Sequence, residues 1–275
     1  MFGCLDIKEE EFTINKGEIN TNYLKVMIMR VLTWNIGGGF ILNKKNNQFD
    51  IEDINYFVNE IQKVNPDVVC LQEIHFSETN NQTQIIANAL GYEHHEIESI
   101  AESHLKDGEK LSIALISKYP VDFFKFNKLS NPNLKFIWKG KEAYSHDKGF
   151  LEANINYDGK VIRILSGHMV PFRKFGKDFL SDEFKMIRDE IEEIILSSKV
   201  ATIVCADMNF IGDIQQLIPN VFTRGFESIL DDVPTTPNGR KYDKIIVSND
   251  WKSINSNIVK GLADHYLCFA DVELL

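Results

Sequence analysis

The sequence has few cysteines and no long apolar run, and each shortage excludes a class of protein. No segment approaches the roughly 18 consecutive apolar residues of a membrane-spanning helix. The N-terminal region carries the acidic run Lys8-Glu9-Glu10-Glu11 and lacks the basic-then-apolar order of a signal peptide. Three of the cysteines sit in apolar, strand-like runs and behave as small hydrophobic residues. We therefore predict a cytoplasmic protein in a reducing compartment, without a transmembrane segment. The four cysteines, none in a Cys-x-x-Cys pair, are Cys4, Cys70, Cys205 and Cys268.

Positive charge is also scarce. The 275-residue chain has 30 Lys and Arg against 40 Asp and Glu, which gives a formal net charge of −10. This balance argues against an extended surface that coats nucleic acid, because such a surface needs a basic face. The net negative charge still allows a local basic groove, or a metal ion that neutralises phosphate. With 44% hydrophobic and 25% charged residues, the composition is that of a globular protein with a sizeable core.

Residues 1–28 are aperiodic and offer no core face. We predict an N-terminal appendage there, followed by a single domain over residues 29–275. Within this domain, apolar strands alternate with amphipathic helices. Helices are expected to start at Asp50 and Ser181, each of which can cap a helix, and a further helix is expected over Asn81 to Leu90, ended by Gly91. Residues 99–110 are expected to form a polar loop. The predicted strands are 31–35, 67–73, 111–117, 149–157, 160–166, 243–247 and 266–272, with another from 202 into 207.

The stretch from Thr202 to Phe210 is typical of a buried strand that ends in polar groups. Period-two spacing would place Asp207 and Asn209 on the same side of the backbone, at the mouth of the strand. Asp-x-Asn is also common strand-to-turn punctuation, because both side chains bond nearby backbone groups. On these residues alone the turn is the better interpretation, and the ends of the other strands decide whether a site exists.

Polar side chains recur at the ends of the other predicted strands and in the adjoining loops. Carboxylate and amide oxygens without cysteine thiolates suit a hard ion such as Mg²⁺, with Mn²⁺ as an alternative, rather than structural zinc. Such a set with imidazoles is typical of a phosphate-ester site, where the ion polarises a phosphoryl oxygen and activates water. The positions are Asn35, Glu73, His168, Asp207, Asn209, Asp243, Asp264 and His265.

Two other stretches each have two interpretations. Glu93-His94-His95-Glu96 resembles a metal site in composition, but adjacent residues of a strand face opposite ways, which favours an exposed or edge strand. Between residues 121 and 148, aromatic residues and lysines interleave. This pattern suits base stacking with phosphate contacts, and it equally suits an edge strand whose lysines prevent aggregation.

Six short motifs identify a resemblance. The chain resembles the endonuclease/exonuclease/phosphatase superfamily, with its DNase I-like or exonuclease III-like fold, and the motifs follow the family's order over nearly the whole chain from residue 29. The resemblance implies an α/β fold, a four-layer α/β/β/α sandwich of two mixed β-sheets with helices outside. The motifs are Thr33-Trp34-Asn35, Leu71-Gln72-Glu73, Ser166-Gly167-His168, Ala206-Asp207-Met208-Asn209, Tyr242-Asp243-Lys244-Ile245 and Ala263-Asp264-His265.

The resemblance also implies a metal site. Mg²⁺ would be held chiefly by Glu73, with Asn35 and Asp264 close by. Asp207 and Asn209 would position or deprotonate the attacking water, or hold a second ion. The family's usual Gly-Asp-x-Asn and Ser-Asp-His carry alanine in the first position here, at residues 206 and 263, which leaves the functional atoms in place.

The remaining residues would act on the phosphate. By the same resemblance, His168 and His265 would contact the scissile phosphate, and Asp243 would orient His265. Water would attack phosphorus in line without a covalent intermediate, and His265 and Asp207 would share the role of base. The family's usual Thr-His is Gly167-His168 in this chain, which is expected to loosen that loop.

The substrate is less determined than the chemistry. Asn35-Ile36-Gly37 and Leu71-Gln72-Glu73-Ile74 look similar to tyrosyl-DNA phosphodiesterases, but nucleases, inositol-phosphate phosphatases and sphingomyelinases share the motifs. We predict a monomeric, Mg²⁺-dependent phosphodiesterase acting on a nucleic acid or a nucleotide-linked phosphate. The alternatives are an inositol-phosphate or phospholipid hydrolase, and a non-catalytic relative that binds a partner through the same cleft.

Overall fold

The structure, a computed structural model, describes residues 26–275 apart from Lys139. Most of the predicted appendage therefore lies outside the described residues, and its last two residues, Met27 and Ile28, belong to the first strand. The helices are α1 (Ile54–Val64), α2 (Gln82–Leu90), α3 (Lys185–Leu196), α4 (Ile214–Leu217) and α5 (Pro219–Thr223). No helix in this described part is long and apolar enough to cross a membrane. The strands are β1 (Met27–Asn35), β2 (Phe40–Asn43), β3 (Gln48–Glu52), β4 (Val68–Phe76), β5 (His94–Glu102), β6 (Lys110–Ser117), β7 (Val121–Lys128), β8 (Lys135–Trp138), β9 (Lys141–Tyr144), β10 (Gly149–Tyr157), β11 (Lys160–His168), β12 (Thr202–Asp207), β13 (Glu227–Ser228), β14 (Asp243–Val247), β15 (Trp251–Val259) and β16 (Leu267–Leu274).

Two six-stranded sheets are each built around one parallel pair. The first sheet has the order β15-β16-β1-β4-β6-β5, and the second has the order β13-β14-β12-β11-β10-β7. β1 runs parallel to β4, and β11 runs parallel to β12. The other neighbours are antiparallel. Both sheets are therefore mixed, and the short hairpins β2–β3 and β8–β9 stand apart from them.

Side-chain alternation along the strands builds the layers of the fold. In β1, Val31 faces an apolar layer between the two sheets, while Leu32 faces an outer layer that α1 and α2 cover. In β11, Ile164 faces the same middle layer, and Leu165 faces the outer layer beneath α3. Successive residues of a strand point to opposite faces, so continuous apolar strands are buried on both sides. The arrangement confirms the predicted α/β/β/α sandwich.

Helix α1 begins later than predicted. Asp50 lies in β3, which pairs with β2, so the prediction that Asp50 caps the helix is wrong. The Asp53 carboxylate caps α1 instead, because it accepts a hydrogen bond from the backbone N–H of Tyr56 at 3.1 Å. Helix α2 confirms its prediction, with the Asn81 side chain as cap and Gly91 in the left-handed conformation at its end.

Three further predictions are tested by the secondary structure. Ser181 makes no capping hydrogen bond, since a 3₁₀ turn over Asp182–Phe184 precedes α3. The predicted polar loop is shorter than 99–110, because β5 extends to Glu102 and β6 starts at Lys110. The edge-strand interpretations hold for residues 94–96 in β5 and for 121–128 in β7, which lie at sheet edges.

A buried ion pair ties the second sheet to the end of α3. Arg163 donates to the Glu152 carboxylate at 2.7 and 3.0 Å, and to the carbonyls of Ile194 and Ile195 at 2.8 and 3.0 Å. We expect Arg163→Met to lower the free energy of unfolding by about 3–5 kcal/mol, because it leaves a buried carboxylate without its partner. Urea unfolding measures this. Arg224→Met, at an exposed site, should cost less than about 0.5 kcal/mol, and equal costs in both variants would contradict the account.

Candidate active site

The polar residues predicted from the strand ends all meet in one cleft. The cleft lies at one end of the sandwich, where the carboxyl ends of the two parallel pairs open, which is where α/β sheets commonly bind ligands. The first sheet and its adjoining loop supply four of these residues, and the second sheet supplies the other four. They are Asn35 ending β1, Glu73 in β4, His168 ending β11, Asp207 ending β12, Asn209 just after it, Asp243 opening β14, and Asp264 and His265 between β15 and β16.

Glu73 does not end its strand, contrary to the prediction. β4 continues to Phe76, and the residues on either side of Glu73 pair with adjacent residues of β6. Glu73 is therefore the extra residue of a β-bulge, with a left-handed φ of 53°. Bulges redirect a side chain out of the regular alternation. Here the carboxylate lines the cleft, with Oε1 3.7 Å from His168 Nε2.

Asn209 does not continue β12. Its φ is 48°, so the prediction that it shares one strand face with Asp207 is wrong. Its backbone N–H donates to Asp207 Oδ1 at 2.9 Å, and its side chain donates to the carbonyl of Met169 at 2.9 Å. Asp207 forms the expected turn with one carboxylate oxygen. Its other oxygen accepts a hydrogen bond from Asn35 Nδ2 at 3.0 Å, which joins it to the polar residues of the cleft.

His265 lies between two carboxylates. Its Nδ1 is 2.9 Å from Asp243 Oδ2, and its Nε2 is 3.9 Å from Asp207 Oδ2. Burial lowers the pKa of His265, but the two carboxylates outweigh burial and raise the pKa well above its ordinary value. Burial raises the pKa of Asp207 to about 6, against the opposing effect of His265. At neutral pH the imidazole is therefore a cation held by carboxylates.

The loop that carries Asp264 and His265 is fixed by the first sheet and α1. Trp34 Nε1 donates to the carbonyl of His265 at 2.9 Å, and the Tyr56 hydroxyl accepts the N–H of Leu262 at 2.8 Å. Both rings pack in the outer apolar layer beneath α1. Trp34 of the first motif thus fixes the backbone beside the imidazole of His265.

The cleft region also contains two lysines that the sequence did not single out as site residues. Lys148 is buried, and its Nζ lies 3.0 Å from both ring nitrogens of His168. Burial lowers the pKa of Lys148 to about 8, and burial with this neighbouring charge lowers the pKa of His168 well below its ordinary value. Lys174 is exposed and reaches the cleft from the 3₁₀ turn Phe172–Phe175. The cleft therefore pairs its carboxylates with two cations.

Glu73 and Asp264 form the part of the cleft that fits a divalent cation. Among the described residues, Oδ1 of Asp264 is buried without a hydrogen-bond partner. A Cβ on Gly37, whose φ is +50°, would lie 3.0 Å from that oxygen, so glycine allows the close approach of the backbone. Burial raises the pKa of Asp264, and the charge of Glu73 adds to the rise. A hard cation would relieve the repulsion between these oxygen ligands.

A second group of candidate ligands adjoins the first. One ligand atom each from Asp207, Asp243 and His265 lies within 4.8 Å of the others. The Asp243–His265 hydrogen bond accounts for two members of this group without an ion. For this reason we interpret these three residues as a proton-handling unit and place the cation at the neighbouring carboxylates.

Comparisons with known proteins agree with this geometry. The Endonuclease/Exonuclease/phosphatase family model matches residues 32–265. The endonuclease/exonuclease/phosphatase of Beutenbergia cavernae superimposes with a TM-score of 0.70 at 17% identity, over 90% of this chain and 72% of that one. A mannosyl-6-phosphatase of Bacteroides thetaiotaomicron gives 0.56 at 14% identity, over 89% and 99% of the chains. A 3′ phosphatase from Neisseria bound to a product DNA hairpin gives 0.54 at 14% identity, over 88% and 98%. No curated protein matches.

The family match spans most of the chain and contains every predicted site residue. Solved structures at these low identities show the shared fold, and the different activities described for them leave the substrate open. Members of the family are hydrolases acting on phosphate esters and are generally dependent on divalent metals. The chain belongs to the Endonuclease/Exonuclease/phosphatase family and is a hydrolase of phosphate esters.

Proposed function

We propose that this chain is a Mg²⁺-dependent phosphodiesterase that hydrolyses a nucleic acid or a nucleotide-linked phosphate. One observation carries the proposal. A cavity of about 160 Å³ is lined by Glu73 and Asp264 together with Asp207 and His265. It brings oxygen ligands for a cation into one space with a carboxylate–imidazole unit, which is the combination that hydrolysis of a phosphate ester needs.

Glu73 and Asp264 would hold Mg²⁺, or Mn²⁺ in its place. The bound ion would polarise a phosphoryl oxygen and neutralise charge that develops during attack. Asn35 lies beside this site, but its Nδ2 donates to Asp207 and its Oδ1 accepts the N–H of Gly37 at 3.0 Å. We therefore propose that Asn35 orients Asp207 next to the ion, while Asp207 and Asn209 stay candidates for a second ion.

Asp207 is our proposed base. Its carboxylate is oriented by Asn35 and by the backbone of Asn209, and it lies 3.7 Å from His168 Nε2 and 3.9 Å from His265 Nε2. This central position allows it to receive a proton from a water molecule that attacks phosphorus. Asn209 would hold that water, since it lines the same cavity.

His265 would stabilise the phosphate as a cation. Asp243 orients the ring through Nδ1, which directs Nε2 toward the cleft. His168 would contact a second phosphate oxygen, together with Lys148 beside it. Hydrogen-bond donors that are already in place where negative charge develops in the transition state give the largest single contribution to rate enhancement in many enzymes. Asp243 is thus a positioning residue, and the two histidines contact the reacting group.

Two observations favour a nucleotide over the alternatives. The Neisseria relative is described with a DNA product, and the space beside this cleft is lined by the buried Lys148 and the exposed Lys174, which suit phosphate oxygens. An inositol-phosphate or phospholipid substrate and a non-catalytic binding role are the competing hypotheses. A substrate panel decides among them, with DNA, RNA, dinucleotides, inositol phosphates, a sugar phosphate and sphingomyelin, each in Mg²⁺, Mn²⁺ and EDTA. Release of phosphate or phosphocholine from the latter classes alone would refute our proposal.

Lys174 gives a test of substrate binding. We expect Lys174→Met to raise KM roughly tenfold with little change in kcat, because it removes a cation at the mouth of the cleft. The effect should shrink at high ionic strength, since Lys174 is exposed. Steady-state kinetics at two salt concentrations measure both. Lys177→Met is the matched control, because Lys177 pairs with Glu183 at 3.1 Å outside the lining of the cleft. Equal changes in the two variants would contradict this role.

Three predictions about the whole protein stay as proposals. Residues 29–275 would act as one domain, which the apolar layer shared by both sheets supports. A cytoplasmic, reducing location is supported by Cys70, Cys205 and Cys268, which are buried free thiols. The monomeric state is proposed from the sequence alone.

A further inference from the structure

A second cavity opens beside the catalytic cleft. Its volume is about 240 Å³. Glu73, Lys174 and Asn209 line both cavities, so the two spaces adjoin at the point where the proposed reaction takes place. A phosphate bound at the catalytic residues would therefore have one of its substituents directed into this second space or against its rim.

The outer wall of this cavity is aromatic. The hairpin β8–β9 contributes Phe136, and the 3₁₀ turn after β11 contributes Phe175, with ring centroids 5.3 Å apart and ring planes at 88°. Both side chains are half-buried. Two rings at right angles form a corner in which a third flat ring can stack on one face and meet the edge of the other.

Charge divides the cavity into two parts. Lys174 lines both cavities together with Glu73, and Lys148 lines this one beside His168. Further out, burial lowers the pKa of His146 to about 4, and the charge of Lys148 adds to this effect, so the imidazole is neutral at physiological pH. The cavity thus has a cationic inner end and an uncharged aromatic body.

The volume limits the occupant. Pockets for drug-sized ligands measure roughly 300–1,000 Å³, and this cavity is smaller. It accommodates one flat ring system and is too small for the paired acyl chains of a phospholipid.

We propose that this cavity is the specificity subsite of the enzyme and binds a planar aromatic ring carried on the substrate phosphate. The ring is either a nucleobase or an aryl leaving group, which share this chemistry. The inference rests on the proposed function for the position of the phosphate. Phe136 and Phe175 supply the stacking surfaces, and the lysines at the inner end hold the phosphate.

The test measures binding with two matched ligand pairs. Each pair shares its phosphate and differs in the aromatic ring: AMP against ribose 5-phosphate, and phenyl phosphate against methyl phosphate. Calorimetry in Mg²⁺ uses the Asp207→Asn background, which removes the proposed base and slows consumption of the ligand while keeping both histidines that contact the phosphate. We expect one aromatic ligand to bind roughly tenfold more tightly than its partner, since stacking of one ring contributes about this much. The AMP pair identifies a nucleobase, and the phenyl pair identifies an aryl group.

Variants of the cavity wall test whether the preference for an aromatic ligand arises in this cavity. Phe136→Leu keeps an apolar wall without an aromatic face, and Phe175→Ala removes the second ring; each should bring the affinity ratio close to one. Phe123→Ala, at an exposed aromatic residue of β7, should leave the ratio unchanged. Equal affinity within both pairs, no detectable binding of either aromatic ligand, or a ratio that survives both cavity variants would overturn the inference. Absence of Mg²⁺-dependent hydrolysis in the wild-type protein would instead refute the proposed function, because the binding ratio does not depend on turnover.

Discussion

Replacing Glu73 by Gln should lower Mg²⁺-dependent hydrolysis by roughly a thousandfold or more, since the polarising effect of a bound ion amounts to several kcal/mol. The bulge in β4 directs this carboxylate into the cleft that Asp264, with its partnerless oxygen, also lines. Positive neighbours hold the pKa of Glu73 well below its usual range despite burial, so the group is ionised wherever the enzyme works. Glutamine keeps the shape of the side chain and removes the charge that holds the cation.

Two measurements separate loss of the ion from loss of the fold. Mn²⁺ binding, followed by electron paramagnetic resonance, should weaken in Glu73→Gln, while the circular dichroism spectrum stays that of the wild-type protein. Glu96→Gln on the edge strand β5, where the side chain is exposed, is the matched control and should keep full activity. A Glu73→Gln protein with wild-type activity and wild-type Mn²⁺ affinity would remove Glu73 from the metal site.

The second large effect concerns His265 and Asp243. His265→Ala should lower kcat by roughly a thousandfold, within the range that proton-handling residues contribute. Asp243→Asn should cost roughly a hundredfold, because the ring keeps its place but loses the carboxylate, 2.9 Å from Nδ1, that fixes its orientation and charge. KM should change little in Asp243→Asn, since a positioning residue does not touch the substrate.

A double-variant cycle tests this pairing. If Asp243 acts through His265, the variant that carries both changes should be about as slow as His265→Ala alone, because residues that act as one unit are not additive. His94→Ala, on the edge strand β5, is the control and should be unaffected. Fully additive losses, or an Asp243→Asn enzyme with wild-type kcat, would contradict the assignment.

The sequence predicted the composition of the site because strand ends are visible in a pattern of apolar residues. Asn35 and Asp207 end strands and Asp243 opens one, as expected, and β11 extends two residues beyond its predicted end to include His168. Those positions follow from where the apolar runs stop, and the parallel pairs bring them to one end of the sandwich. The layers were predicted in the same way, because an unbroken apolar run indicates a strand that is covered on both faces.

Backbone irregularities were less accessible. The sequence placed Glu73 at the end of a strand, whereas β4 continues past it and a bulge redirects the side chain. A bulge leaves no mark in the apolar pattern, since the residues on both sides remain buried. For a similar reason Asp50 was preferred over Asp53 as a cap: both are acidic, and only the pairing of β3 with β2 excludes the first.

The two lysines differ in how far the sequence alone could have placed them in the site. The Asp158-Gly159 turn sets the register of the hairpin, which pairs Gly149 with His168. Counting back from that turn would have placed Lys148 beside the histidine. Lys174 and Phe175 come from a loop whose path depends on tertiary packing, so no local pattern predicts that they reach the cleft. The stretch 121–148 likewise divides into the edge strand β7 and the separate hairpin β8–β9, so the edge-strand interpretation holds for its first part only.

The central claim is that the cleft hydrolyses phosphate esters with a divalent cation, and its most direct test is metal-dependent turnover. The wild-type protein should hydrolyse bis(p-nitrophenyl) phosphate in Mg²⁺, lose that activity in EDTA, and regain it when excess Mg²⁺ is added. Undiminished hydrolysis in EDTA, or none in Mg²⁺ or Mn²⁺ with any phosphate ester of the panel, would contradict the account.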